Sequence, residues 1–237
     1  MAFSPSMTHC IETRHLTVRR GGRKVLSDIH LQVSPGEFVA IVGKSGVGKS
    51  TLLHALAGHL PYSGEINIPK KIGMVFQQFA VFPWLTAKEN IGFGLTMESK
   101  GKIELIDESL RLAGLEDKAQ KYPAALSGGQ QQRIAIARAI AHRPDVLLMD
   151  EPFGSLDAYT REQMQAWLLD VWRAHKTTVV LVTHDIEEAL VLADRVIVLT
   201  DGKLGDEFDE FRPSLHGIDA KFSYQFLQMR QKITESL

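Results

Sequence analysis

Cysteine is almost missing: Cys10 is the only one in 237 residues. That excludes an internal disulfide and any cysteine-only zinc site, and it fits a reducing compartment. Long apolar runs are missing too. Val146–Met149 and Val179–Val182 are among the longest, far short of the ~18 residues of a membrane span. The stretch from Met1 to Cys10 has neither a basic start nor an apolar core, so no secretory signal is expected. The expectation is a soluble chain that reaches any membrane process through a partner. Charge of one sign is not in excess. Lys plus Arg number 27 and Asp plus Glu 28, for a net charge of −1. Nucleic-acid binding driven by bulk charge is thereby excluded. The nine histidines show no metal-ligand spacing.

What is present is globular: 44% of residues are hydrophobic and 23% charged. A chain of this length buries about three-quarters of its unfolded surface without staples. We expect one domain over residues 1–237.

Its first third reads as β structure. Ile29-His30-Leu31-Gln32-Val33 alternates strictly, as does Leu16-Thr17-Val18, and Gly21-Gly22 supplies a turn before Lys24-Val25-Leu26. A small antiparallel sheet is expected here. The texture then changes. Phe38–Val42, Val146–Met149, Val179–Val182 and Val196–Leu199 are unbroken apolar runs, the pattern of parallel strands buried on both faces. Met164, Trp167, Leu168, Val171 and Trp172 form a helical stripe, and Ile134, Ala137 and Ala141 form another before Pro144. Strands alternating with helices predict an α/β core. Residues of about 79–143 have helical character, with Ile103, Ile106, Leu110 and Leu115 marking one helix, and are read as an inserted helical subdomain. Phe222, Phe226, Met229 and Ile233 predict a closing helix within a tail of about 219–237. The acidic stretch Asp206-Glu207, Phe208, Asp209-Glu210 reads as a solvated face.

Gly43-Lys44-Ser45-Gly46-Val47-Gly48-Lys49-Ser50-Thr51 fits the phosphate-cradling pattern G-x-x-x-x-G-K-[ST]. A buried strand precedes it and a helix with a glycine stop at Gly58 follows. Glycines let backbone N–H groups turn toward phosphate oxygens, and the helix start adds partial positive charge. Lys49 supplies a full charge, and Ser50 a hydroxyl for Mg²⁺. Val146-Leu147-Leu148-Met149-Asp150-Glu151-Pro152 is a buried strand ending in two acids. Asp150 suits Mg²⁺ and Glu151 suits polarising an attacking water. Pro152 biases Glu151 toward an extended backbone. His184, after the next strand, can donate to a phosphate oxygen. Gln77, after Met74-Val75-Phe76, can ligate Mg²⁺ and hold a water.

Leu126-Ser127-Gly128-Gly129-Gln130 opens the helix that carries Arg133 and Arg138. It offers a cap and exposed N–H groups, a second anion cradle. Either it is only a capped helix start, or it meets a nucleotide held by another copy.

This ordered set resembles the ATP-binding subunit of ABC transporters. It comprises a Walker A loop at Gly43–Thr51, a glutamine loop at Gln77, a signature at Leu126–Gln130, a Walker B strand with Asp150 and Glu151, a D-loop at Ser155-Leu156-Asp157, and a switch His184. The match runs roughly from Ile11 to Gly202. Phe82-Pro83-Trp84-Leu85-Thr86, Glu151–Asp157 and Thr183-His184-Asp185-Ile186-Glu187-Glu188-Ala189 look like bacterial importers of the nitrate, sulfonate and taurine type. The resemblance implies a P-loop NTPase core with a mainly parallel sheet, an N-terminal antiparallel β subdomain and an inserted helical subdomain. It implies ATP and Mg²⁺ as cofactors, the metal served by Ser50, Gln77 and Asp150. It implies a head-to-tail homodimer in which Ser127, Gly128, Gly129 and Gln130 complete the site of the opposite copy. The segment Gln77–Trp84 is expected to face a membrane permease, which works with a periplasmic or lipid-anchored substrate-binding protein; nucleic acid is not an expected partner. The working place is then the cytoplasmic side of the cell membrane. Where the family usually has an aromatic ring to stack on adenine, this chain has Arg19-Arg20-Gly21. Arg20 either stacks on the base itself or is a solvated arginine. Rival readings are a non-transport ABC-type ATPase, such as an iron–sulfur assembly factor, and a nucleotide-gated module without turnover.

Overall fold

The chain begins with a hairpin in this computed structural model, which describes residues 9–78, 80–95, 101–209, 221 and 223–237. Strands β1 (Ile11–Arg20) and β2 (Arg23–Val33) pair antiparallel across Gly21-Gly22. Both glycines have positive φ, 55° and 79°, the turn whose twist matches the flanking strands. The far edge of β1 takes β4 (Ser63–Asn67), completing a three-stranded antiparallel sheet.

The second sheet contains β3 (Phe38–Val42), β5 (Ile72–Val75), β6 (Val146–Asp150), β7 (Thr178–Thr183), β8 (Arg195–Thr200) and β9 (Lys203–Phe208). Its order is β5-β6-β7-β3-β8-β9. The first five strands run parallel and β9 returns antiparallel along β8. Each unbroken apolar run serves two cores at once. Phe38, Ala40, Val42, Leu147, Met149, Val179 and Leu181 face one apolar cluster. Val39, Ile41, Val146, Leu148, Val180 and Val182 face the other. The period of two in a strand sends neighbours to opposite faces.

Helix α1 (Lys49–Leu56) and the three-stranded sheet cover the second of these faces. The first is covered by α4 (Gly128–Ala141), α5 (Ala158–His175), α6 (Ile186–Leu192) and α7 (Tyr224–Glu235). Met164, Leu168 and Trp172 of the α5 stripe lie in that core. So do Phe226, Met229 and Ile233 of the closing helix; Phe222 lies outside the described residues, as do Phe79 and Glu210. Between β5 and β6, α2 (Ala87–Gly92) and α3 (Lys102–Ala113) pack with α4 around a third cluster that includes Ile91, Ile106, Leu110 and Ile134.

One expectation needs correction. Leu115 does not belong to the same helix as Ile103, Ile106 and Leu110: α3 ends at Ala113, closed by Gly114 at φ +62°, and within it Ile103 is 65% exposed while Ile106 and Leu110 are buried. Asp206-Glu207 is solvated as expected, with both residues exposed. It lies in β9, where Glu207 pairs with Arg195 at 2.7 Å and Asp206 accepts from the Ser236 hydroxyl at 2.7 Å. Among the described residues no helix is long and apolar enough to cross a membrane.

Candidate active site

Strand order brings four chain ends together. Neighbours β5, β6, β7 and β3 run the same way, so Gln77, Glu151, His184 and the Gly43–Gly48 loop all leave the sheet at its carboxyl edge. Open α/β sheets bind ligands there.

The loop folds tightly onto β2. Gly48 has φ +118° and an added Cβ would stand 2.9 Å from Leu26, so glycine alone fits. It hands over directly to α1, whose Leu52 N–H donates to the Gly48 carbonyl at 2.9 Å. Lys49 is buried at the loop's centre. Its Nζ donates to the Gly43 carbonyl at 2.8 Å and the Lys44 carbonyl at 3.2 Å, and stands 3.7 Å from Glu151 Oε1. Ser50 Oγ donates to Asp150 Oδ1 at 2.9 Å. Burial raises the Asp150 pKa above the ordinary carboxylate value, and the Glu151 charge adds to the rise, while the Ser50 hydrogen bond opposes it. Together Ser50 and Asp150 offer two hard oxygen donors on adjacent elements, a set that fits Mg²⁺.

Glu151 is the point of convergence. Its Oε2 accepts from Gln77 Nε2 at 3.3 Å and lies 3.1 Å from His184 Nδ1, while Oε1 faces Lys49. Its backbone is not extended, contrary to expectation: φ is +41°. The Glu151 N–H still donates to the Val182 carbonyl at 2.9 Å, whereas its carbonyl already accepts from Gly154 at 3.2 Å. The residue ends a strand and begins a tight turn, and those two bonds override the bias from Pro152. A left-handed non-glycine residue costs on the order of 1–2 kcal/mol, strain of the kind that gathers at working sites.

Behind His184 lies a group that no sequence motif singles out. Glu188 is buried, and its Oε2 accepts from the Thr183 hydroxyl at 2.6 Å. Among the described residues its Oε1 finds no hydrogen-bond partner. Glu151, Arg161, His184, Asp185 and Glu188 line a cavity of about 30 Å³, room for one water. Burial pushes the Glu188 pKa up to about 7.

The other sequence-derived residues lie apart. Ser127 caps α4: its side chain accepts from Gln130 N–H at 3.3 Å, and Gln130 Oε1 accepts from Ser127 N–H at 3.0 Å. Ser127 and Gly128 are exposed, whereas Gly129 is buried and an added Cβ there would stand 2.6 Å from Thr160. Among the described residues, no hydrogen bond or ion pair joins Ser127–Gln130 to the Lys49 loop. Arg133 and Arg138 face away from the α4 start. Arg133 stacks over Trp167 and donates to the Ala113 carbonyl at 3.2 Å, and Arg138 stacks over Phe82. Arg20 is exposed at the end of β1, paired in register with Arg23.

Residues 26–154 match a family model described as ABC transporter. An aliphatic sulfonates import ATP-binding protein of Paracoccus denitrificans is 43% identical over 210 residues, covering 87% of this chain and 86% of that relative. One from Pseudomonas aeruginosa is 47% identical over 201 residues, covering 81% and 72%. Among solved structures, the dimeric post-hydrolysis state of the ATP-binding cassette MJ0796, bound to ADP and Pi, aligns with a TM-score of 0.73 at 36% identity, over 84% of this chain and 98% of that one. The cbiO1 chain from Clostridium perfringens, part of the cbiONQ ABC transporter complex, aligns with a TM-score of 0.80 at 25% identity, over 95% and 100%.

Proposed function

Because this chain belongs to the ABC transporter family and carries its ATPase cassette, we propose that it hydrolyses ATP to power a bacterial importer of a small anionic or organic solute. Aliphatic sulfonates are the class that its named relatives point to. The convergence of Lys49, Gln77 and His184 on the Glu151 carboxylate carries this reading.

In this reading the Gly46–Thr51 amides and Lys49 hold the β- and γ-phosphates of ATP. Mg²⁺, held by Ser50 and Asp150 and reached by Gln77, would neutralise charge between those phosphates. Glu151 orients and polarises the attacking water, and the strained turn at φ +41° fixes its carboxylate where the other groups meet. His184 donates to a γ-phosphate oxygen. The signature Ser127–Gln130 acts on the nucleotide of a second copy, since its own α4 start is exposed and unconnected to the Lys49 loop among the described residues.

The permease docks on the helical region. Trp84 is 69% exposed and Phe93 52%, and Phe82 stacks against both at 5.4 and 4.3 Å. Such an aromatic surface suits an apolar helix face. The subunit then works at the cytoplasmic side of the membrane, and a substrate-binding protein acts only through the permease.

Phosphate release by the purified chain tests the chemistry. In Glu151→Gln we expect turnover to fall by about 10²–10⁴-fold, the usual worth of a general base, with ATP binding retained. Wild-type turnover in that variant would remove Glu151 from its assigned role.

A further inference from the structure

Both strands of the β1–β2 hairpin are bulged at one place. Arg14 and His15 together stand opposite His30, and Ser27 and Asp28 together stand opposite Thr17. His15 and Asp28 each adopt positive φ, 52° and 58°. The first bulge presses into β4, where an added Cβ on Gly64 would stand 2.4 Å from the His15 carbonyl oxygen. The second is tied by the Asp28 N–H donating to the Thr17 hydroxyl at 3.2 Å. The two bulges re-aim three side chains at one point, as bulges do. His15 Nδ1 is 2.8 Å and His30 Nε2 is 3.1 Å from the same oxygen, Asp28 Oδ1. Among the described residues this is the one group of His, Cys, Asp and Glu whose three ligand atoms all lie within 4.8 Å of one another. Sequence spacing does not reveal this group, because the ligands come from two strands and meet only through the bulges.

We propose that His15, Asp28 and His30 form a surface site for a transition-metal dication, with zinc the best match. Zinc bonds of about 2.0–2.1 Å require ligand atoms roughly 3.3 Å apart in a tetrahedron, with the fourth position open to water. From 2.8 and 3.1 Å, the two nitrogen–oxygen separations need to open by about 0.5 and 0.2 Å. Imidazole donors select zinc, nickel, cobalt or copper over magnesium, so the site is distinct in chemistry from the nucleotide's metal. Nearby charges are already committed: Arg14 pairs with Glu12 at 2.9 Å and Arg195 with Glu207 at 2.7 Å. Occupation would clamp β1 to β2 just above Leu26, which packs on Gly48 of the phosphate loop.

Calorimetric titration of the chelator-stripped full chain with zinc chloride, in excess Mg²⁺ and without nucleotide, tests this. We expect wild-type binding that weakens at least about tenfold in both His15→Asn and His30→Gln, while His59→Ala leaves it unchanged. Asn tolerates the left-handed backbone at position 15, so that variant keeps the bulge. Histidine ring resonances give a reading free of variants: zinc should perturb His15 and His30 first. No zinc binding, equal binding in the two variants, or perturbation confined to other histidines would each overturn the site.

Discussion

Glu188 is a carboxyl group with nowhere to put a charge. It is 4% exposed, and among the described residues one of its oxygens has no hydrogen-bond partner. Burial and the neighbouring Asp185 raise its pKa from 4.5 to about 7, against the Thr183 hydrogen bond and the Arg161 charge. A raised acid pKa means that the folded chain keeps a proton which the unfolded chain has released. Stability therefore falls as pH climbs from about 4.5 to about 7, by up to about 3 kcal/mol, and this contribution is flat above that window. In Glu188→Gln the slope should flatten and the variant should be the more stable form near pH 8. Urea unfolding of both chains near pH 5 and pH 8 checks it; parallel pH profiles would show that Glu188 does not carry the proton. Because Thr183 and Asp185 flank His184, this acid also braces the segment that presents the histidine to Glu151.

Among the elements, α4 separates a local role from a distant one. The Ser127 capping box stabilises its own helix, and loss of such a cap costs about 1 kcal/mol. Ser127→Ala should therefore lower unfolding stability by about 1 kcal/mol yet abolish ATP-driven association of two copies. If association survives and only stability drops, the signature is a helix cap and nothing more. The parallel strands were legible in advance because burial on both faces leaves an unbroken apolar run, as in Val179–Val182. The glycine loop, Asp150-Glu151 and His184 were legible because each follows such a run. Other elements carried no such signal. β4 (Ser63–Asn67) has one half-buried side chain, Ile66, and every other position exposed; its pairing with β1 defines it. β9 is mostly exposed in the same way, although Asp201-Gly202 after an apolar strand was a hairpin signal. The turned backbone of Glu151 was illegible because Val182 and Gly154, distant or later in the chain, impose it. The His15–Asp28–His30 group depends on bulges, which shift register without altering composition.

For the whole molecule, the layout explains why one chain is half a machine. Lys49, Ser50, Asp150, Glu151, Gln77 and His184 sit on one sheet edge, while the exposed α4 start is unconnected to the phosphate loop among the described residues. Two copies placed head to tail would join each loop to the other's Ser127, so that ATP holds the copies together and its hydrolysis releases them. Sedimentation velocity of Glu151→Gln with and without Mg-ATP reads this out. A single chain is expected without nucleotide and a stable dimer with it, because the bridging γ-phosphate is bound but not cut. A variant that binds ATP and still sediments as a single chain at every nucleotide concentration would contradict it.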